Sequence, residues 1–184
     1  MADTYLNVVN GEDQVLGREL RSVIHAKGLR HREVHIWFMT KDKHLIFQRR
    51  GPDKDTYPNL LSATAGGHVE EQQDYKAAAL AEVREETGLE LFKADLIPLA
   101  KVDVTQVDVA HNATNVVFRM VYLYRFNGTA ADLQVEAADG AGFVVVPLMD
   151  VLQQQGEMIG QMVPGLFDSG YMPAWQALRD VLHI

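Results

Sequence analysis

The chain has 184 residues, 47% of them hydrophobic and 23% charged, with a formal net charge of −8 and no cysteine. That length carries one domain with a full hydrophobic core, and the excess of acid argues against a protein that coats nucleic acid or an anionic membrane, whose affinity comes from Lys and Arg. Without cysteine there are no disulfides, thiolate metal sites or cysteine nucleophiles. The start lacks a basic region and an apolar core, and no apolar run approaches the ~20 residues of a membrane span, so a cytoplasmic protein is expected.

In chain order, Leu6–Val9 reads as a short strand, with Asn10-Gly11 as a turn signal before Gln14–Leu16. Arg18–Ala26 carries Leu20, Val23 and Ile24 at helical spacing and is ended by Gly28. Val34–Thr40 and Leu45–Arg49 are strands joined by the polar turn Lys41–His44, and Gly51–Asn59 is a loop by its Pro, Gly and Asp content. Leu60–Ala65 leads into Gly66-Gly67. Asp74 is an N-cap for a helix over Tyr75–Thr87, with Gly88 at its C′ position. On that helix Ala79, Leu80 and Val83 are expected to pack inward, and Ala78 to leave room beside Glu82 on the carboxylate face. Leu96–Val107, Val116–Phe126 and Phe143–Val146 are strands; Asp150–Gln154 and Ala174–Leu182 are helices. The loop-like PGLFDSGYMPAW stretch shows apolar residues that cover the core or meet a second copy. Strands interrupted by helices make a layered α/β or α+β domain.

Glu82, Glu85 and Glu86 stand at i, i+3 and i+4, on one face of the Tyr75–Thr87 helix. Side by side they repel, and holding them together calls for a compensating cation. Carboxylate oxygens are hard ligands, which selects Mg²⁺ or Mn²⁺. Such an ion with open water positions suits the chemistry of a diphosphate.

The run from Gly67 to Leu89 resembles the Nudix hydrolase box: Gly67, then Glu82, Val83, Glu85, Glu86, Gly88 and Leu89 fall on its pattern. Gln73 and Ala81 depart from it, standing where the family has a Glu and an Arg that steady the loop–helix–loop. Losing both is milder than losing one, since no unpaired charge is left buried. From about Gly28 to Pro147 the chain also looks like the subgroup most similar to isopentenyl diphosphate isomerase, through its HREVH strand, Arg49-Arg50, the Lys54–Pro58 loop and the Ala65–Val69 approach. The resemblance implies a Nudix-type α/β/α sandwich with a mixed central sheet and a loop–helix–loop box. It implies a single domain over 1–184: an N-terminal hairpin and short helix over 1–30, the core over 31–150, and a C-terminal helical segment over 151–184.

The resemblance implies roles as well. Glu82, Glu85 and Glu86 are expected to hold the metal, with the carbonyl of Gly67 as a further ligand because a glycine lets the main chain approach closely. Glu85, Glu86 or Glu136 is the expected general base, with Glu70 and Glu71 as alternatives. Arg50 and Lys54 match positions that grip a diphosphate, Arg by paired donors and Lys as a point charge. His68, next to the box glycine, and His35 are expected at the substrate, and both match positions of isomerase metal ligands. His25 and His31 read as surface or structural residues, Arg49 as structural. Asp103, Asp108 and His111 form a polar stretch without a spacing argument.

The function expected is Mg²⁺-dependent cleavage of a phosphoanhydride in a nucleoside diphosphate derivative or other organic diphosphate, with a homodimer as a further option and no nucleic-acid polymer or membrane as partner. A metabolite-binding module without turnover is the alternative, favoured by Gln73 and Ala81. Isomerase chemistry is disfavoured, since Ala65 stands about where that reaction needs its Cys, and Asn112, Ala113, Thr114 and Asn115 stand where it needs carboxylates.

Overall fold

The computed structural model describes residues 4–54, 56–108, 113–135 and 140–184, with the main chain only at 108 and 113. Glu136 and His111 lie outside these residues. In chain order the elements are β1 (Tyr5–Val9), β2 (Val15–Leu20), α1 (Arg21–Lys27), β3 (Arg30–Met39), β4 (His44–Arg50), β5 (Leu61–Ser62), β6 (Ala65–His68), α2 (Tyr75–Thr87), β7 (Ile97–Asp108), β8 (Ala113–Arg125), β9 (Gly140–Pro147), α3 (Leu148–Gln153) and α4 (Met172–Leu182).

The first hairpin turns where Asn10 Oδ1 accepts from the amides of Glu12 and Gln14, both at 2.9 Å. The helix expected from Arg18 starts at Arg21 instead, because Arg18 to Leu20 complete the β2 ladder against β1. It ends at Gly28, whose φ of 61° sets the left-handed cap that lets the chain swing into β3.

β3 is the axis of a mixed sheet. It runs parallel to β8 along its whole length and antiparallel to β4 and β6, while β7 flanks β8 and β9 flanks β4. Its side chains alternate. Val34, Ile36 and Phe38 meet Ala78, Ala79 and Val83 of α2 on one face, and Trp37 and Met39 meet Tyr171, Trp175 and Leu178 on the other. Helices therefore cover both faces, the α/β/α layering expected from the sequence. The same alternation sends His31, Glu33 and His35 to the Trp37 face, under the C-terminal segment.

Ala78 corrects the reading of α2: it is buried against the sheet, not open beside Glu82. The helix is Ala-rich so that its backbone can sit close to β3. Val83, fully buried there, contributes about 1.5–3 kcal/mol. The C-terminal stretch takes the first of the two roles expected of it and covers the core. Leu166, Tyr171 and Trp175 are buried, Trp175 stacks on Trp37 with centroids 3.9 Å apart, and its indole N–H donates to the Leu166 carbonyl at 2.6 Å.

Candidate active site

α2 is capped at both ends by its own sequence. Asp74 accepts from the amide of Ala77 at 2.7 Å, and Gly88, at φ 73°, donates to the Arg84 carbonyl. The helix thus has a fixed start and stop, which aims its last two turns at β6. Glu86, largely buried, accepts from the amide of Gly66 at 2.8 Å. Glu82 lies against the α-carbon of Gly67, where any β-carbon would collide with its carboxylate. Glu85 points outward, 57% exposed and paired with Arg84 at 3.4 Å. The structure therefore brings Glu82 and Glu86 to the two box glycines and leaves Glu85 at the rim.

The loop ahead of α2 lacks the charged pair that Gln73 and Ala81 replace, and other contacts hold it. Gln73 Oε1 accepts from the amide of Glu70 at 3.2 Å. Leu6 bridges to Glu70, Asn7 donates to the Glu71 carbonyl at 2.8 Å, and Arg18 clasps the Glu71 carboxylate. Asp13, in the hairpin turn, receives Arg32 Nε at 2.6 Å, Lys101 Nζ at 2.8 Å and the Tyr75 hydroxyl. Burial would raise its carboxyl, but Lys101 and Arg32 hold it below the usual range. The N-terminal hairpin has become the brace of the box.

On the far side of β6 the structure assembles a group that the sequence reading had dispersed. His68 faces Glu33 across the β3–β6 ladder, and α1 and the start of β3 bring His25 and His31 beside it. One ring nitrogen from each of His25, His31 and His68 falls within 4.8 Å of the others, an arrangement able to hold a metal ion. Among the described residues the glutamates form no comparable group. His31 is fully buried, the second of the two readings, surface or structural, expected of it. Its Nδ1 lies 3.0 Å from the Leu29 carbonyl. A carbonyl only accepts, so Nδ1 carries the proton and Nε2 presents a lone pair. That Nε2 is buried without a hydrogen-bond partner. His25 Nε2 and His68 Nε2 lie 3.1 Å apart, and Glu33 Oε1 is 3.5 Å from His68 Nε2.

Charge around this group is ordered. Burial would raise the Glu33 carboxyl, yet Arg119, His68 and His31 hold it well below the usual carboxylate range. Arg119 Nε donates to it at 3.0 Å and Asn115 at 2.9 Å. Burial also lowers His31 and His68, leaving both rings neutral and able to ligate. No local spacing announces this group: His25, His31 and His68 sit on a helix, a strand and a second strand, joined by the Gly28 turn and the β3–β6 register.

His35, expected with His68, stands apart from the three. Its strand neighbour is Gly66, and its Nδ1 meets the Tyr171 hydroxyl at 2.7 Å. Tyr171 is a residue that sequence reasoning missed. Arg50 donates to the Thr56 carbonyl and hydroxyl, ordering the loop that carries Lys54. Arg49 turns the other way to the Asn59 carbonyl and Gln161, the structural role expected of it. Asp103 pairs with Arg30.

Known proteins resemble this chain over most of its length. A NUDIX domain profile matches residues 29–163. A Nudix hydrolase of Deinococcus radiodurans is 30% identical over 129 residues, covering 70% of this chain and 72% of that protein. A crystal structure from Deinococcus radiodurans superposes with a TM-score of 0.68 at 24% identity, over 95% of this chain and 98% of the other. The NUDIX domain of Shewanella oneidensis NrtR, solved with ADP ribose, superposes with a TM-score of 0.55 at 16% identity, over 82% and 86%.

Proposed function

The chain belongs to the Nudix family of hydrolases, and from that premise we propose that it cleaves a phosphoanhydride bond in a nucleoside diphosphate derivative or another organic diphosphate, with a divalent cation. The observation that carries this reading is the convergence of Glu82 and Glu86 on the paired glycines Gly67 and Gly66, at the end of the helix that bears the box.

The residues present fit such a cation. Glu82 and Glu86, with the Gly67 carbonyl, offer hard oxygens suited to Mg²⁺ or Mn²⁺, and Glu85 would join them only by turning in from the rim. His25, His31 and His68 offer nitrogens suited to Mn²⁺ or Zn²⁺, and the buried, unpartnered Nε2 of His31 is a lone pair that an ion would satisfy. Bound there, a divalent ion neutralises phosphate charge and lowers the pKa of a water. The chain's own residues do the rest. Arg50 and Lys54 bind the diphosphate. His68 and His35 line its place. Glu86, Glu85 or Glu136 takes the proton of the attacking water.

The finer likeness, to the isomerase-like subgroup, rests on the same histidine-bearing flanks. Two features favour hydrolysis over isomerisation: Ala65, which stands about where that reaction needs its Cys, is buried in the core, and Asn115, which stands where it needs a carboxylate, is an amide engaged with Glu33. Residues 1–184 work as one domain in this reading, since the hairpin holds the box. A small-molecule diphosphate is the partner and the cytoplasm the site of action; among the described residues no helix is long and apolar enough to cross a membrane.

A phosphate-release assay with Mg²⁺ and with Mn²⁺ tests this, over ADP-ribose, nucleotide sugars, dinucleoside polyphosphates, oxidised nucleotides and prenyl diphosphates. Turnover of at least one compound, dependent on the ion, is expected. Tight binding of one compound with no turnover of any makes the chain a metabolite-binding module instead.

A further inference from the structure

Tyr171 is the first residue before α4, and the chain delivers it to a fixed point. Gly170 lies on the carbonyl oxygen of Asp103, 2.7 Å from where a β-carbon would sit, so the C-terminal segment is seated directly on β7. The Tyr171 side chain is fully buried between Trp37 and Trp175. A phenylalanine would fill the same space. The hydroxyl is the feature to explain, because an unpaired one at such a depth is destabilising.

That hydroxyl meets His35 Nδ1 at 2.7 Å. Among the described residues the hydroxyl has no other hydrogen-bond partner. A phenol has one proton to place, and a buried O–H left without an acceptor is costly, so the phenol turns its proton toward His35 Nδ1. Burial, reinforced by the positive field of Arg119, keeps the His35 ring neutral. A neutral imidazole that accepts at Nδ1 carries its proton on Nε2. The Cδ2–Nε2 edge of the ring lies toward Gly66, whose amide holds Glu86: a β-carbon at Gly66 would come within 2.8 Å of His35 Cδ2. The charge of Arg50 acts on the same ring.

We infer that Tyr171 is a positioning residue: through its hydroxyl it fixes His35 in the Nε2–H form, so that His35 presents a hydrogen-bond donor, on its Gly66 side, to a diphosphate oxygen. This rests on the hydrolase reading above, and it gives the C-terminal segment a part in substrate binding.

The test uses the full chain labelled with ¹⁵N-histidine. Long-range ¹H–¹⁵N spectra read each ring's tautomer, and a His35→Gln sample assigns the His35 signals. The wild type is expected to show His35 as Nε2–H, and Tyr171→Phe a mixture of both tautomers. A wild-type Nδ1–H pattern, or a pattern unchanged in Tyr171→Phe, overturns the inference. Calorimetry with inorganic pyrophosphate and Mg²⁺ gives a second arm. Tyr171→Phe is expected to weaken binding about tenfold, the size of one hydrogen bond to a charged group, and His35→Gln by a similar factor. Affinity unchanged in both variants overturns the link to the diphosphate. The tautomer is read without any substrate, so failure of the hydrolase reading, seen as no turnover of any compound, is a separate result.

Discussion

The carboxylate of Glu82 occupies the space that a side chain on Gly67 would need. The box glycine is therefore required by its partner on the helix, a turn from the end of α2, and not by its own backbone angle: Gly67 is absent from the residues of positive φ. A β-carbon at 67 must push Glu82 aside. Because the displaced atoms end a flexible side chain, Gly67→Ala is expected to cost about 1 kcal/mol in urea unfolding. It is expected to lower turnover by about 10²-fold, the scale of a misplaced catalytic group. Near wild-type turnover would detach Glu82 from the chemistry.

Glu86 has two separable jobs. Its Oε2 anchors the Gly66 amide, and in the proposed reaction its charge serves the chemistry. Glu86→Gln keeps an acceptor for Gly66 and removes the charge, so folding should persist while turnover falls by about 10²-fold or more. Glu86→Ala removes the acceptor as well and should cost about 1–3 kcal/mol of stability in addition. Circular dichroism melts and the phosphate-release assay together separate the two. A Gln variant as active as wild type would move the essential carboxylate elsewhere.

Asp13 takes a positive φ of 64° and gathers Arg32, Lys101 and Tyr75 from three other elements. Asp13→Ala leaves those donors without their acceptor, at a cost of about 2 kcal/mol. The loss should be local first: amides of the loop at 69–74 should exchange hydrogen faster in the variant than in the wild type. Equal exchange there would mean that the hairpin does not brace the box.

Acid should weaken the metal-free protein in a defined window. Burial depresses the pKa of His68 to about 3 from the ordinary 6.5, and lowers His31 and His35 in the same direction. The unfolded chain therefore binds more protons than the folded one between those limits, so stability rises with pH there. It is fully present above about pH 6.5 and falls as pH drops toward 3. Glu33, held well below 4.5, adds a loss of the same sign once the pH passes below that value. Urea midpoints at pH 7.5, 6 and 5 should decline in that order, and the decline should flatten in His31→Asn. A flat profile in the wild type would mean that these rings are charged in the folded state.

Much of the architecture and half of the site were written locally. Asp74 and Gly88 bound α2 to the residue, because a cap needs only its own neighbours. Gly67, Glu82 and Glu86 fall at spacings that one helix and one turn convert directly into proximity. Where the reading failed, the deciding contact was distant in the chain. Ala78 is indistinguishable by spacing from a residue on the carboxylate face, and the sheet claims it. His25 and His31 look unremarkable singly.

The sequence by itself determined the family, the box and its metal-suited carboxylates, since those follow from residue type and short-range periodicity. Only the tertiary structure decided that His25, His31 and His68 meet, that the first hairpin stands in for the missing Glu and Arg, and that Tyr171 reaches His35 across 136 positions. The physical reason is register. Pairing β6 with β3 sets His68 opposite Glu33 and Gly66 opposite His35, and a slip of a single residue would turn each of those side chains to the opposite face of the sheet.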